Sequence, residues 1–205
     1  GTISADTFNY NGAEQKRGYK LKRSYTGSAA SSLMSFAFAP TGKETVAKWP
    51  SGDGEGGVLM NGTTELGYVV WPTGTSINGT RGCLLDGAMG GQYHARKWSW
   101  GRNCRRLAKN GVDLFTSTAP ASFFYNAANG QLSLRCATAS VMELDHRNQV
   151  TKVMRNGAQM SANKWSWANG KLTIQTPAST NPSGDEYVIH FIQNDVRSSR
   201  WIEYE

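Results

Sequence analysis

Gln92, His94, Arg96, Trp98 and Trp100 stand two residues apart along the 205-residue chain. In an extended strand that spacing puts all five on one face, with Tyr93, Ala95, Lys97 and Ser99 on the other. Indole rings pack on the apolar faces of sugar rings and also stack on nucleobases. A guanidinium offers a planar fork to carboxylate, sulfate or phosphate. Gln92 and His94 would add directional hydrogen bonds. Arg102, Arg105 and Arg106 follow directly and extend the basic character.

The same residues bear on catalysis. A lyase acting on an anionic polysaccharide needs a base, for which His94 or Tyr93 would serve. It also needs a group that neutralises the uronate carboxylate, for which Arg96 or Gln92 would serve. A glycoside hydrolase would instead need two carboxylates across a cleft. Glu65, Glu143, Asp145 and Glu186 are available, but nothing in the sequence pairs them. Binding and cleavage both stay open on this reading.

Charge narrows the partner class. The formal net charge is +7, and residues 81–109 hold seven basic side chains against the single acid Asp86. A concentrated positive field draws anionic partners, so an acidic glycan is the first expectation and a single-stranded nucleic acid the second. No helix-turn-helix, zinc-finger or RNA-recognition signature accompanies the basic patch.

Two aromatic hairpins must position these groups. Phe123-Phe124-Tyr125 precedes Asn129-Gly130 and Leu132-Ser133-Leu134-Arg135. Lys164-Trp165-Ser166-Trp167 precedes Asn169-Gly170 and Leu172-Thr173-Ile174-Gln175. Asn-Gly between alternating runs predicts a hairpin with a type I′ turn, and the alternation sends Leu132, Leu134, Leu172 and Ile174 into a core. Lys97-Trp98-Ser99-Trp100 repeats the letters of Lys164 to Trp167, which adds Trp165 and Trp167 to the candidate ligand contacts. These related stretches keep no fixed period, so a solenoid or propeller is not expected.

Seven Asn-Gly pairs and 23 glycines leave few windows for helix. The expected fold is all-β, an antiparallel β-sandwich of jelly-roll-like type. It would be one domain over residues 1–205, with 1–18 an arm or peripheral strand and Gly18 to Tyr25 a basic-faced strand. Further strands are expected at Ser31 to Ala39, Val58 to Met60, Leu66 to Trp71, Gln92 to Trp100, Val112 to Phe115 and Arg200 to Tyr204. Arg102 to Leu107 reads as a short helix or basic loop, and Trp49 to Gly57 as a glycine-rich loop. Glu186 to Ile192, apolar on both faces, reads as a central strand with His190 in or near the core.

Three cysteines allow at most one disulfide within the chain, and Cys136 falls on the apolar side of its strand as a buried thiol. No metal-ligand spacing, dinucleotide fingerprint or nucleophile elbow occurs, so no metal or cofactor is expected. No apolar run is long enough to span a bilayer. Asn61 and Asn78 each begin an Asn-x-Thr pattern, which places both in surface loops. Together these features point to a non-catalytic carbohydrate-binding or attachment module, lectin-like, outside the cell, on its surface or on a virion. A lyase on the same scaffold is the alternative, and a viral or phage structural or attachment protein, assembled as an oligomer, is the further one.

Overall fold

The structure is a computed structural model. It describes residues 44–50, 52–94 and 97–192, together with the backbone of two earlier strands, 2–10 and 14–22. The strands expected at Ser31 to Ala39 and Arg200 to Tyr204 lie outside these residues, as does Arg96. The chain divides into two compact units, residues 1–34 and 35–205.

In the first unit β1 (Thr2–Tyr10) and β2 (Glu14–Lys22) pair antiparallel from Thr2 opposite Lys22 to Tyr10 opposite Glu14. Where the sequence suggested an arm and a separate strand there is one hairpin.

The second unit is an all-β antiparallel sandwich. It opens with β3 (Glu44–Lys48), β4 (Gly54–Asn61) and β5 (Thr64–Pro72), paired side by side, β4 passing to β5 through the Asn61-Gly62 turn. The stretch around Gly54 and Gly56 is strand rather than loop. Its glycines are there because the backbone packs closely: a Cβ on Gly56 would lie 2.1 Å from the Val69 carbonyl oxygen. The short β6 (Ser76–Asn78) and β7 (Cys83–Asp86) follow, then β8 (Met89–Tyr93), β9 (Trp98–Lys109) and β10 (Val112–Asn126). Arg102 to Leu107 is thus strand as well, carried within β9.

The two organising hairpins form. β10 pairs with β11 (Gln131–Cys136), and β15 (Trp165–Ala168) pairs with β16 (Lys171–Thr176). Asn169 and Gly170 both take positive φ, as a type I′ turn requires. At Asn129-Gly130 only the glycine does, because four residues, 127–130, close that loop, with the Gly130 amide donating to the Asn126 carbonyl. Leu132, Leu134, Leu172 and Ile174 are buried as the alternation demands. β12 (Ser140–Asp145), β13 (Val150–Arg155), β14 (Ala158–Gln159) and β17 (Asp185–Phe191) complete the set.

Strand order runs β14-β13-β17-β11-β10-β9-β8-β5-β4-β3, while β12, β16 and β15 branch from β10, and β7 and β6 from β9. The long pair β9–β10 therefore belongs to two sheets. Its Trp98–Arg102 and Ala121–Asn126 ends lie in one sheet, and its Arg106–Lys109 and Val112–Ser117 ends in the other. The change of sheet occurs at register shifts around Asn103, whose φ is 47°, and between Thr116 and Ala121. Phe115 and Phe123 show how sharp this corner is. A straight strand would hold residues eight apart roughly 26 Å from each other, yet their rings stack with centroids 3.9 Å apart and planes 14° apart. Both rings belong to one continuous core drawing on both sheets, with Leu107, Leu132, Met142, Leu144, Leu172 and Ile174 among its members.

The reading of β17 needs correction. β17 is not apolar on both faces in its setting: Tyr187 and Ile189 are buried, while Glu186, Val188 and His190 are exposed. It pairs with β11 and β13 in a sheet that has one solvent face, so His190 is a surface residue. Cys83, Cys104 and Cys136 are all buried and all free. Burial pushes the Cys83 thiol up to about 11 and the Cys104 thiol up to about 12.

Candidate functional site

The strand expected over Gln92–Trp100 is two strands. The chain turns after His94, with the Lys97 amide donating to the His94 carbonyl and Lys97 at φ 55°, and β9 then runs back along β8. Directly opposed residues of an antiparallel pair share a face, so the pairing register re-sorts the candidates. Gln92 is opposite Ser99, which is opposite Tyr125, and all three are buried on the inner face. Tyr93 is opposite Trp98, and Gly91 is opposite Trp100, which is opposite Phe124. These aromatics stand on the outer face.

The outer face carries a chain of tilted ring contacts. Tyr93 and Trp98 have centroids 6.0 Å apart, and Trp98 and Phe124 5.8 Å. Trp100 lies on the same face, and glycines beneath the strip make room for the rings. A Cβ on Gly91 would fall 2.2 Å from Trp100 Cζ2, and one on Gly67 would fall 3.1 Å from Tyr93 Cδ2. Phe124 is 41% exposed while Tyr93, Trp98 and Trp100 are half-buried, so the rings are supported from below and open above. Arg102 continues this face beyond Trp100 at the bulge opposite Ser122, where the Asn103 amide donates to Ser122 Oγ. Arg135, opposite Ser122 on β11, is exposed on the same side.

Other candidates are held elsewhere. Arg105 is exposed and donates to the Thr118 carbonyl, whereas Arg106 is committed to Asp113 through a 2.6 Å ion pair. Trp165 and Trp167 are opposite Ile174 and Leu172, so they stand on the core-facing side of β15, and Trp167 donates its indole N–H to the His146 carbonyl at 2.7 Å. His94 is 3.5 Å from Glu65, which also pairs with Arg81 at 2.9 Å and Lys109 at 2.8 Å. Burial would raise the Glu65 carboxyl, but hydrogen bonds from His94, Lys109 and Arg81, with the charge of Lys109, hold it at about 2. Gln92, Tyr93 and His94 therefore do not converge on one point. The carboxylates are likewise dispersed: Glu143 faces Lys171, Asp145 lies near Arg147, and Glu186 accepts the Ser133 hydroxyl.

Sequence reasoning missed Phe124 and Arg135 as site residues. A signal for Phe124 was present, since it is an aromatic in the polar phase of Phe123-Phe124-Tyr125. The Glu65 cluster left no such trace, because its members come from distant stretches. A third group was also invisible. In the interior, the buried Tyr125 hydroxyl and His146 Nδ1 are in hydrogen-bond contact, and Phe191 meets the imidazole edge-on at 4.8 Å.

Burial lowers the His146 pKa to about 4 from an ordinary 6.5. The unfolded chain therefore binds the extra proton first. Stability from the neutral imidazole is complete above about pH 6.5 and drains as pH falls toward 4, by about 2 kcal/mol between pH 7 and pH 4.5. Asp145, whose carboxyl burial raises, works in the opposite sense and is favoured as pH falls through its elevated value. Urea unfolding across that range is expected to show the loss in the wild type and a flatter profile in His146→Gln.

No protein-family model matches the sequence, and no curated protein is detectably similar to it. The chemistry of the site rests on its own residues.

Proposed function

We propose that the chain is a non-catalytic carbohydrate-binding or attachment module whose ligand lies along the outer aromatic strip of Tyr93, Trp98, Trp100 and Phe124. The observation that carries this reading is four neighbouring aromatic side chains on a solvent-facing sheet surface. A sheet face exposed to water ordinarily carries polar residues, and a contiguous apolar patch rimmed by polar groups marks an interaction surface. Two of the rings cover glycines, which limits their freedom and reduces the entropy lost when a ligand settles on them. Arg102 and Arg135 at one end favour a glycan bearing carboxylate or sulfate. Its setting would be extracellular, cell-surface or virion.

A glycan array carrying acidic and neutral polysaccharides, with single-stranded DNA and RNA as comparators, tests the reading at low and high salt. Selective glycan binding that survives high salt is the expected result, because ring stacking is not screened as phosphate contacts are. Salt-labile binding to every polyanion would reduce the strip to a generic positive surface. The appearance of the ultraviolet absorbance of an unsaturated uronate in any positive well would replace binding with cleavage.

A further inference from the structure

Away from the strip, an open pocket of about 880 Å³ lies among β12, the β13–β14 hairpin and β16. That volume is within the range of small-ligand sites. Among the described residues its lining includes Arg155 and Lys164 and no acidic side chain. Among the described residues Lys164 Nζ has one long contact, 3.5 Å to Gln175 Oε1. Arg155 uses one terminal nitrogen on Asp185 at 3.1 Å, while its Nε is buried without a hydrogen-bond partner. Asp185 is itself saturated by Asn156 and Ser179, and these bonds together hold its carboxyl below the usual carboxylate range. At the rim, exposed Arg105 donates to the carbonyl of Thr118, another lining residue, and adds a third positive charge.

The remaining lining supplies what a polyhydroxylated ring needs. The Thr118 hydroxyl accepts the Val141 amide and keeps its own proton free to donate. Ser140 and Thr176 hydroxyls are bonded to each other at 3.0 Å on the floor, and Val141, 40% exposed, offers an apolar surface. We infer that this pocket is a second, independent ligand site that takes an acidic sugar residue, with Lys164 and the Arg155 edge facing its carboxylate or sulfate. Neutral sugars lack the group that the cations address, and a bare anion leaves the hydroxyls and the apolar wall unused.

The test is amide-shift mapping by NMR on the intact chain with three probes: a galacturonate oligosaccharide, the matching neutral galactose oligosaccharide, and sodium sulfate. The galacturonate probe is expected to shift Lys164, Gln175 and the Ser140–Val141 amides, with at least a tenfold preference over the neutral probe. Lys164→Gln, a substitution at an exposed position, is expected to weaken it several-fold without changing the thermal midpoint, and Trp98→Ala is expected to leave these shifts in place. Shifts confined to the aromatic strip would overturn the pocket while supporting the strip. Equal response to sulfate alone, or an affinity unchanged in Lys164→Gln, would also overturn it, and neither outcome touches the reading of the strip.

Discussion

Phe115→Ala is expected to cost about 3–5 kcal/mol of folding stability, the range for removing a large aromatic from a close-packed core. Phe115 is fully buried and its ring lies flat against Phe123 where β10 changes sheet. Truncation removes the stack and leaves a cavity between two halves of one strand that the backbone brought together. That backbone is fixed by ladder pairing on both sides: Phe115 is opposite Leu107 on β9 and Leu144 on β12. Collapse into the cavity would disturb both ladders, so relaxation is limited. Phe124→Ala, on the exposed side of the same strand, is expected to cost at most about 1 kcal/mol. Urea unfolding of the two variants separates them. Equal losses would mean that the corner is not organised by the stack.

Glu65→Gln is the second large effect, again about 3–5 kcal/mol, because it leaves a buried cation without its counter-charge. Lys109 Nζ is 2.8 Å from Glu65, donates to the Arg81 carbonyl at 2.9 Å and lies 4.8 Å from the centre of the Tyr68 ring. Only 8% of its side chain reaches solvent, so water does not replace the lost carboxylate. Replacing both partners, as in Glu65→Leu with Lys109→Met, is expected to be less damaging than Glu65→Gln alone, since no buried charge is stranded. The pH behaviour follows the same physics. The Glu65 carboxyl is held at about 2 against an ordinary 4.5, so the stability it supplies is complete above about pH 4.5 and fades as pH falls toward 2. Thermal melts of the single and double variants at neutral pH test the ranking.

Local patterning carried much of this fold in the sequence. Asn-Gly turns between alternating runs identified both organising hairpins, and the phase of Leu132, Leu134, Leu172 and Ile174 told inside from outside. What stayed hidden was non-local or conformational. The letters Gln92 to Trp100 alternate like one strand, and only the turn at Lys97 shows that they fold back on themselves. That turn changes the composition of the face: Tyr93 joins Trp98, and Gln92 departs to the interior. Glycines near Gly54 read as loop because glycine usually breaks strands, whereas here close backbone approach requires them. The seven residues Glu186 to Ile192 read as apolar on both faces, but whether a strand has one or two buried faces depends on what covers it, and β17, though central between β13 and β11, has one. The Glu65 cluster and the pocket around Lys164 arise where strands distant in sequence meet, and no local pattern announces them.

The most direct measurement of the account is calorimetric titration of the best array glycan into the wild type, Trp98→Ala and Trp100→Ala at high salt. Near-ultraviolet circular dichroism would first establish that each variant is folded. The account predicts that each substitution lowers affinity about tenfold or more, in line with roughly 1–3 kcal/mol for a lost stacking partner, while folding is retained. Unchanged affinity in both folded variants would contradict it and remove the outer aromatic strip from ligand recognition.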